Sequence, residues 1–201
     1  MKNWYLKSQY YLGPSEEDLE DEDYLEPVID SNSVSGEFYH GSFVSENEDI
    51  FEDLSTEFSD WDAVWVTSDE YIAEEFGRKY LSTDNKSSDV PVVFLLRVSM
   101  KKVARIYTSE MWHEIRDFYD LETDMRESIP FYQAKGFDGW ETSGGIDSNN
   151  YDDIAVFSGA GISVKSVKVL VGGKWSEYLP VDEAQELVKR VHRISELQSP
   201  S

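Results

Sequence analysis

Apolar positions along the chain change period several times, and each change marks an element. Ala63-Val64-Trp65-Val66-Thr67 is a β-branched and aromatic run between Asp60 and Asp62 on one side and Ser68-Asp69 on the other, which predicts a short strand. The period then lengthens, with Ile72, Ala73, Phe76 and Tyr80 on one face at helical spacing. Thr67, followed three residues later by Glu70, has the spacing of a capping box for that helix. Val90 to Val98 is the most apolar run and predicts a central strand, with a second strand over Lys102 to Tyr107. Thr108 to Leu121 predicts a helix turning Met111, Trp112, Ile115, Phe118 and Tyr119 inward, and Ile129 to Lys135 a short one stopped by Gly136. Further strands are expected at Glu37 to His40, Gly139 to Glu141, Asp153 to Phe157 and Val164 to Val171, the last turning at Gly172-Gly173 toward Trp175. Val181 to Leu197 closes the chain as an amphipathic helix carrying Leu187, Val188, Val191 and Ile194.

Strands outnumber helices and most connections are too short for parallel crossovers. An α+β domain follows, with a largely antiparallel sheet and peripheral helices. Residues 37–179 form that domain, with residues 180–201 as a terminal helix and tail. Residues 1–36 read as an arm: an aromatic tip, Gly13-Pro14, then a run from Glu16 to Asp23 in which only Leu19 is uncharged. Such a block is usually solvated, so the arm is expected to be dispensable for folding, with Ser31 to Gly36 as its linker.

Composition sharpens this picture. The 201 residues suit one domain, and 40% apolar with 14% aromatic residues can fill a packed interior. Cysteine is absent, which removes disulfides, thiolate nucleophiles and Cys-ligated zinc. A formal net charge of −23 repels phosphate backbones and anionic membranes and favours basic partners. Nucleic-acid binding is therefore disfavoured. The chain has neither the apolar core of a signal peptide near Met1 nor a membrane-length apolar run, which makes the cytoplasm the simplest expectation.

The candidate chemistry is ordered along the chain. His113 lacks a second histidine at the zinc-protease spacing, and His192 lies on the basic side of the terminal helix. Ser158-Gly159-Ala160-Gly161-Ile162-Ser163 follows a strand but runs into another strand, so it is not a dinucleotide fingerprint. What rises above background is Phe38-Tyr39-His40-Gly41-Ser42, then Val64-Trp65-Val66-Thr67 leading into a helix with Phe76 eleven residues after Trp65, and finally Tyr151-Asp152-Asp153-Ile154-Ala155-Val156-Phe157.

Over residues 37–170 this arrangement resembles the ADP-ribosyltransferase superfamily, in the diphtheria-toxin and poly-ADP-ribose-polymerase-like branch known for a His, Tyr, Glu triad. The resemblance implies a split, mostly antiparallel sheet and NAD as the substrate. His40 would hydrogen-bond the nicotinamide-side ribose, and the backbone of Gly41, beside Ser42, would face the carboxamide. Trp65 stands at the strand Tyr, next to Thr67, Phe76 at the second stacking aromatic, and Asp153 at the catalytic Glu. Trp for Tyr keeps a π face but adds bulk, and Asp for Glu shortens the arm by one C–C bond, roughly 1.5 Å. Each residue also has a plainer reading: Trp65 and Phe76 as core aromatics, and Asp153 as an edge-strand acid with Asp152 as its rival, since a one-residue slip exchanges faces.

The implied reaction breaks the nicotinamide–ribose bond and passes ADP-ribose to an acceptor, and no metal is needed. At −23 a basic protein surface is the favoured acceptor, with water as another. Arg78, Lys79, Arg97 and Arg105 are candidate cations for the pyrophosphate of NAD. Two other classes stay open: a catalytically inactive NAD or ADP-ribose binding module, and an acidic interaction protein such as a DNA-mimic inhibitor.

Overall fold

The computed structural model describes residues 26–45, 49–50, 63–83, 89–122, 124–142, 153–157 and 161–198. In chain order its elements are β1 (Ser31–Val44), β2 (Ala63–Val66), α1 (Glu70–Thr83), β3 (Val90–Ile106), α2 (Ser109–Tyr119), a 3-10 turn (Met125–Ser128), α3 (Ile129–Ala134), β4 (Gly139–Thr142), β5 (Asp153–Phe157), β6 (Gly161–Val171), β7 (Lys174–Trp175) and α4 (Val181–Gln198). The acidic run from Glu16 to Asp23, the rival acid Asp152 and the Ser158 to Ala160 segment lie outside the described residues.

The fold is α+β with a mostly antiparallel sheet organised by β3. β1 pairs antiparallel with β3 over nearly its whole length, from Val90 to Ala104, and β6 pairs antiparallel with its first half on the other side. Its second half runs parallel to β4, and that crossover is the stretch containing α2 and α3. From β4 the sheet continues antiparallel through β5 to β2. Two strands had been expected where β3 runs unbroken. Its register against β1 steps from Asn32↔Val103 to Val34↔Met100, Ser33 alone facing two residues, so the polar Lys101-Lys102 pair is a bulge rather than a break. Asp138, just before β4, holds the bulge by accepting the backbone N–H of Lys101 at 2.6 Å and of Lys102 at 3.1 Å.

The expected linker, Ser31 to Gly36, is instead the first part of β1, paired with β3 from Ala104 back to Val98. Its polar side chains fit because Ser31, Ser33 and Ser35 are exposed while Asn32 and Val34 are half-buried. Ile29 ahead of it packs against the second core described below. Removing residues 1–34 would therefore take four residues from a strand.

Capping also differs from the expected box. Asp69 caps α1, its Oδ1 accepting the N–H of Tyr71 at 2.9 Å, while Thr67 Oγ1 accepts the N–H of Asp69 at 3.1 Å. At the start of α2, Thr108 Oγ1 accepts the N–H of Met111 at 3.1 Å. Gly172 and Gly173, at φ of 55° and 81°, make the tight turn into β7 that only glycine enters without strain.

Two cores result. The first joins Val92, Phe94, Leu96, Val98 and Met100 of β3 to Val64 and Val66 of β2, Ile154 and Val156 of β5, Val167 and Val169 of β6, and Ala184 and Val188 of α4. Residues from both halves of the sheet belong to it, and the Tyr39–Thr67 bridge joins β1 to β2. The second core lies on the opposite face, where Trp112, Ile115, Tyr132 and Phe137 pack against Ala104, Ile106, Trp140, Ala155 and Phe157.

Candidate functional site

The site begins where β1 and β2 part. They meet in one antiparallel bridge, with Tyr39 N–H donating to Thr67 O at 2.8 Å and Thr67 N–H to Tyr39 O at 2.9 Å. Among the described residues no ladder continues from there. Peptide groups along a strand point alternately to its two edges. Tyr39 turns its peptide groups toward β2, so His40 turns its own toward β3 and Gly41 back toward β2, where the strands have separated. The backbone N–H and C=O of Gly41 thus line a split between β1 and β2.

His40 spans that split. Its Nδ1 lies 2.6 Å from the carbonyl oxygen of Trp65. A carbonyl can only accept, so Nδ1 carries the proton, and in the neutral ring Nε2 is the acceptor nitrogen. The ring packs on Phe94 with centroids 5.9 Å apart, and the residue is only 7% exposed. The split is closed over its histidine.

Gly41 faces α1. A Cβ there would come 2.0 Å from the carbonyl oxygen of Ala73 and 3.0 Å from the nitrogen of Gly77. The glycine lets a helix backbone, rather than a ligand, approach the face of β1, which leaves only its edge for a ligand. Contact with this strand makes Ala73 and Gly77 the seat of α1. One flank of the helix, Glu70, Glu74 and Arg78 at i, i+4 and i+8, faces β6 and β7: Lys168 bonds Glu70 and Glu74, and Arg78 lies 5.7 Å above the Trp175 ring. Helical geometry puts half-buried Ile72 and Phe76 on the other flank, the side of the split.

The remaining sequence candidates fall in three places. Trp65 turns its ring toward the second core, 5.8 Å from Trp140, so its carbonyl rather than its ring meets His40. Ser42 and Thr67 are buried, the latter with its hydroxyl engaged in the start of α1. Asp153 is the first residue of β5, opposite Thr142 of β4, and Val66 pairs with the next residue, Ile154. Asp153 therefore stands one step beyond the Val66 pair, in line with Thr67, which itself bridges Tyr39. The middle of β1, the end of β2 and the start of β5 thus share one row.

The candidate cations separate. Arg78 is on the far flank of α1, and Arg97 is exposed on β3 in register with Glu37 and Ser163. Arg105 bonds Tyr107 and lies 3.7 Å from Glu141. The side chain of Lys79 lies outside the described residues. Among the described residues no group of three or more His, Asp or Glu is placed to hold a metal. A shallow groove of about 480 Å³, lined by Leu179, Asp182, Glu183, Gln185, Glu186 and Arg190, belongs to α4 and its lead-in and shares no residue with the split.

Periodicity gave no sign of the polar cluster beside the split. Lys168 of β6 sits over the Tyr178 ring at 4.8 Å, and that ring lies 6.4 Å from Tyr39. Burial alone would lower the Lys168 pKa, but the hydrogen bonds and charges of Glu70 and Glu74 outweigh it and raise it. Burial, reinforced by the same carboxylates, pushes the Tyr178 phenol above its usual range. The only local signal was the i, i+4 spacing of Glu70 and Glu74; their partner is 94 residues or more away.

No protein-family model matches the sequence, and no curated protein matches it. Among solved structures the chain is similar to one described as the crystal structure of the M. tuberculosis MbcT-MbcA toxin-antitoxin complex. Identity is 10%, the match covers 81% of this chain and 92% of that one, and the TM-score is 0.44.

Proposed function

We propose that this chain consumes NAD and transfers its ADP-ribose unit to a basic protein acceptor. What supports the reading is a row of strand positions: Tyr39, next to His40 in β1, bridges Thr67 just after β2, and Asp153 at the start of β5 stands level with Thr67, with the Gly41 peptide edge facing the gap. A peptide N–H and C=O side by side suit a carboxamide, which has one acceptor and two donors. His40 Nε2 would accept from a ribose hydroxyl. The glycosidic C–N bond of NAD then breaks with its electron pair leaving on the nicotinamide nitrogen. Positive charge develops on the ribose, where a carboxylate at Asp153 stabilises it. The acceptor attacks the anomeric carbon and loses a proton; water in its place gives free ADP-ribose. Phe76, on the split side of α1, is the aromatic wall for nicotinamide. With His40 buried, NAD entry requires the split to widen.

The test is incubation with labelled NAD and a lysate, read for labelled proteins and free nicotinamide. Asp153→Asn keeps size and removes charge. It is expected to cut turnover about a hundredfold or more, roughly 3 kcal/mol, with NAD affinity within a few fold. Phe76→Ala is expected to weaken NAD binding more than Trp65→Ala. Parent-like turnover in Asp153→Asn would remove this residue as the acid. The closed split also favours a second reading, a module that binds NAD or ADP-ribose without turnover; calorimetric binding with no nicotinamide release would select it.

A further inference from the structure

The seat of α1 on the sheet is unusual in what it lacks. Gly41, Ala73 and Gly77 meet almost backbone to backbone, and Gly77 has room for a Cβ only at 3.3 Å from Trp175 and Val92. Such a contact brings the helix close but offers few side chains to interlock, so it leaves rotation about the helix axis weakly fixed. Rotation is what matters at the split. One flank of α1 carries Phe76 toward the gap, and any roll of the helix carries that ring in or out.

The opposite flank supplies the missing constraint. Lys168 reaches from β6 to both Glu70 and Glu74, and the three side chains are 16%, 35% and 19% exposed. Other ion pairs among the described residues are more open, such as Lys189–Glu186 at 49% and 66%. A shielded cation shared by two carboxylates one turn apart is weakly screened by salt, and removing it would leave two like charges repelling at i, i+4. The ammonium also rests on Tyr178, whose ring neighbours Tyr39, the residue that bridges β1 to β2. One chain of contacts therefore runs from Lys168 to the point where the strands part.

We propose that Lys168 is a positioning residue that fixes the roll of α1 through Glu70 and Glu74 and so sets where Phe76 stands along the split. That the split receives NAD rests on the reading above; that Lys168 latches the helix does not. Lys168 touches neither NAD nor the reacting atoms and acts through the helix alone.

The experiment compares the full chain with Lys168→Met and Lys168→Arg by amide hydrogen exchange over α1 and α4 and by steady-state kinetics with NAD. Lys168→Met is expected to speed exchange over Ala73 to Gly77 about tenfold with α4 unchanged, and to raise KM for NAD about tenfold with kcat within about threefold. Lys168→Arg is expected to return both toward the parent. Should Lys168→Met fail to fold, the triple variant with Glu70→Gln and Glu74→Gln removes the repulsion and is read in the same way. Exchange over α1 no faster than in the parent, or an unchanged KM, would overturn the proposal. If the parent neither binds nor turns over NAD, the reading of the split fails, and the exchange measurement alone decides the latch in the same terms.

Discussion

The helices on the outer faces of this sheet are held in opposite ways. α2 and α3 are bound by side-chain volume: Trp140 meets Tyr132 at 5.5 Å and Phe157 at 5.1 Å, both edge-on, and Tyr132 meets Phe137 at 5.9 Å. α1 is bound by the absence of side chains at its seat and by an ion pair at its flank. Interlocked rings admit essentially one arrangement, because sliding any of them opens a void. A backbone seat with a polar latch has a shallower minimum, and groups that bind or release ligands are drawn from such regions. The split lies beside the second kind of helix, while β5, which carries Asp153, is anchored through Ala155 and Phe157 to the first.

The contrast can be broken from either side. Trp140→Ala deletes a fully buried ring and is expected to have the largest effect, about 3–5 kcal/mol of stability, measured by denaturant unfolding. Gly41→Ala attacks the seat, since its methyl would overlap the Ala73 carbonyl and α1 must move. About 1–3 kcal/mol is expected, with exchange speeding over α1 while α2 keeps its protection. Equal loosening of both helices would show that the two regions are one cooperative unit.

The smallest effect expected is on the alkaline limb. Burial raises the phenol pKa of Tyr132 in the aromatic region and of Tyr178 beside the latch, and Lys168 is raised through Glu70 and Glu74. Above about pH 10 the unfolded chain loses protons that the folded chain keeps. Stability present below that pH is therefore lost as pH rises through the folded values. Tyr178→Phe and Tyr132→Phe should each flatten that fall, and a fall unchanged in both would assign it to other groups.

How much of this was legible depends on whether a feature is local. β5 starts and ends where its alternation says, at Asp153 and Phe157, and α2 begins after Thr108, because period and capping are written within a few residues. The resemblance drew attention to His40, Gly41 and Asp153 as separate positions along the chain. It could not say that the Trp65 ring would join Trp140 while its carbonyl met His40, since a strand residue presents ring and peptide in different directions.

Residue order alone thus determined the α+β class, most helices and strands, and the segments worth attention. Only the tertiary structure decided the rest. Ser31 to Gly36 became strand because β3 was there to pair with it, although its own side chains favour no strand. Lys101-Lys102 became a bulge because Asp138, 36 residues on, accepts both N–H groups. Lys168 became a latch because β6 brings it to the flank of α1, beside Glu70 and Glu74. In each case the deciding partner is remote in sequence, and main-chain pairing leaves no periodic trace in the residues that take part.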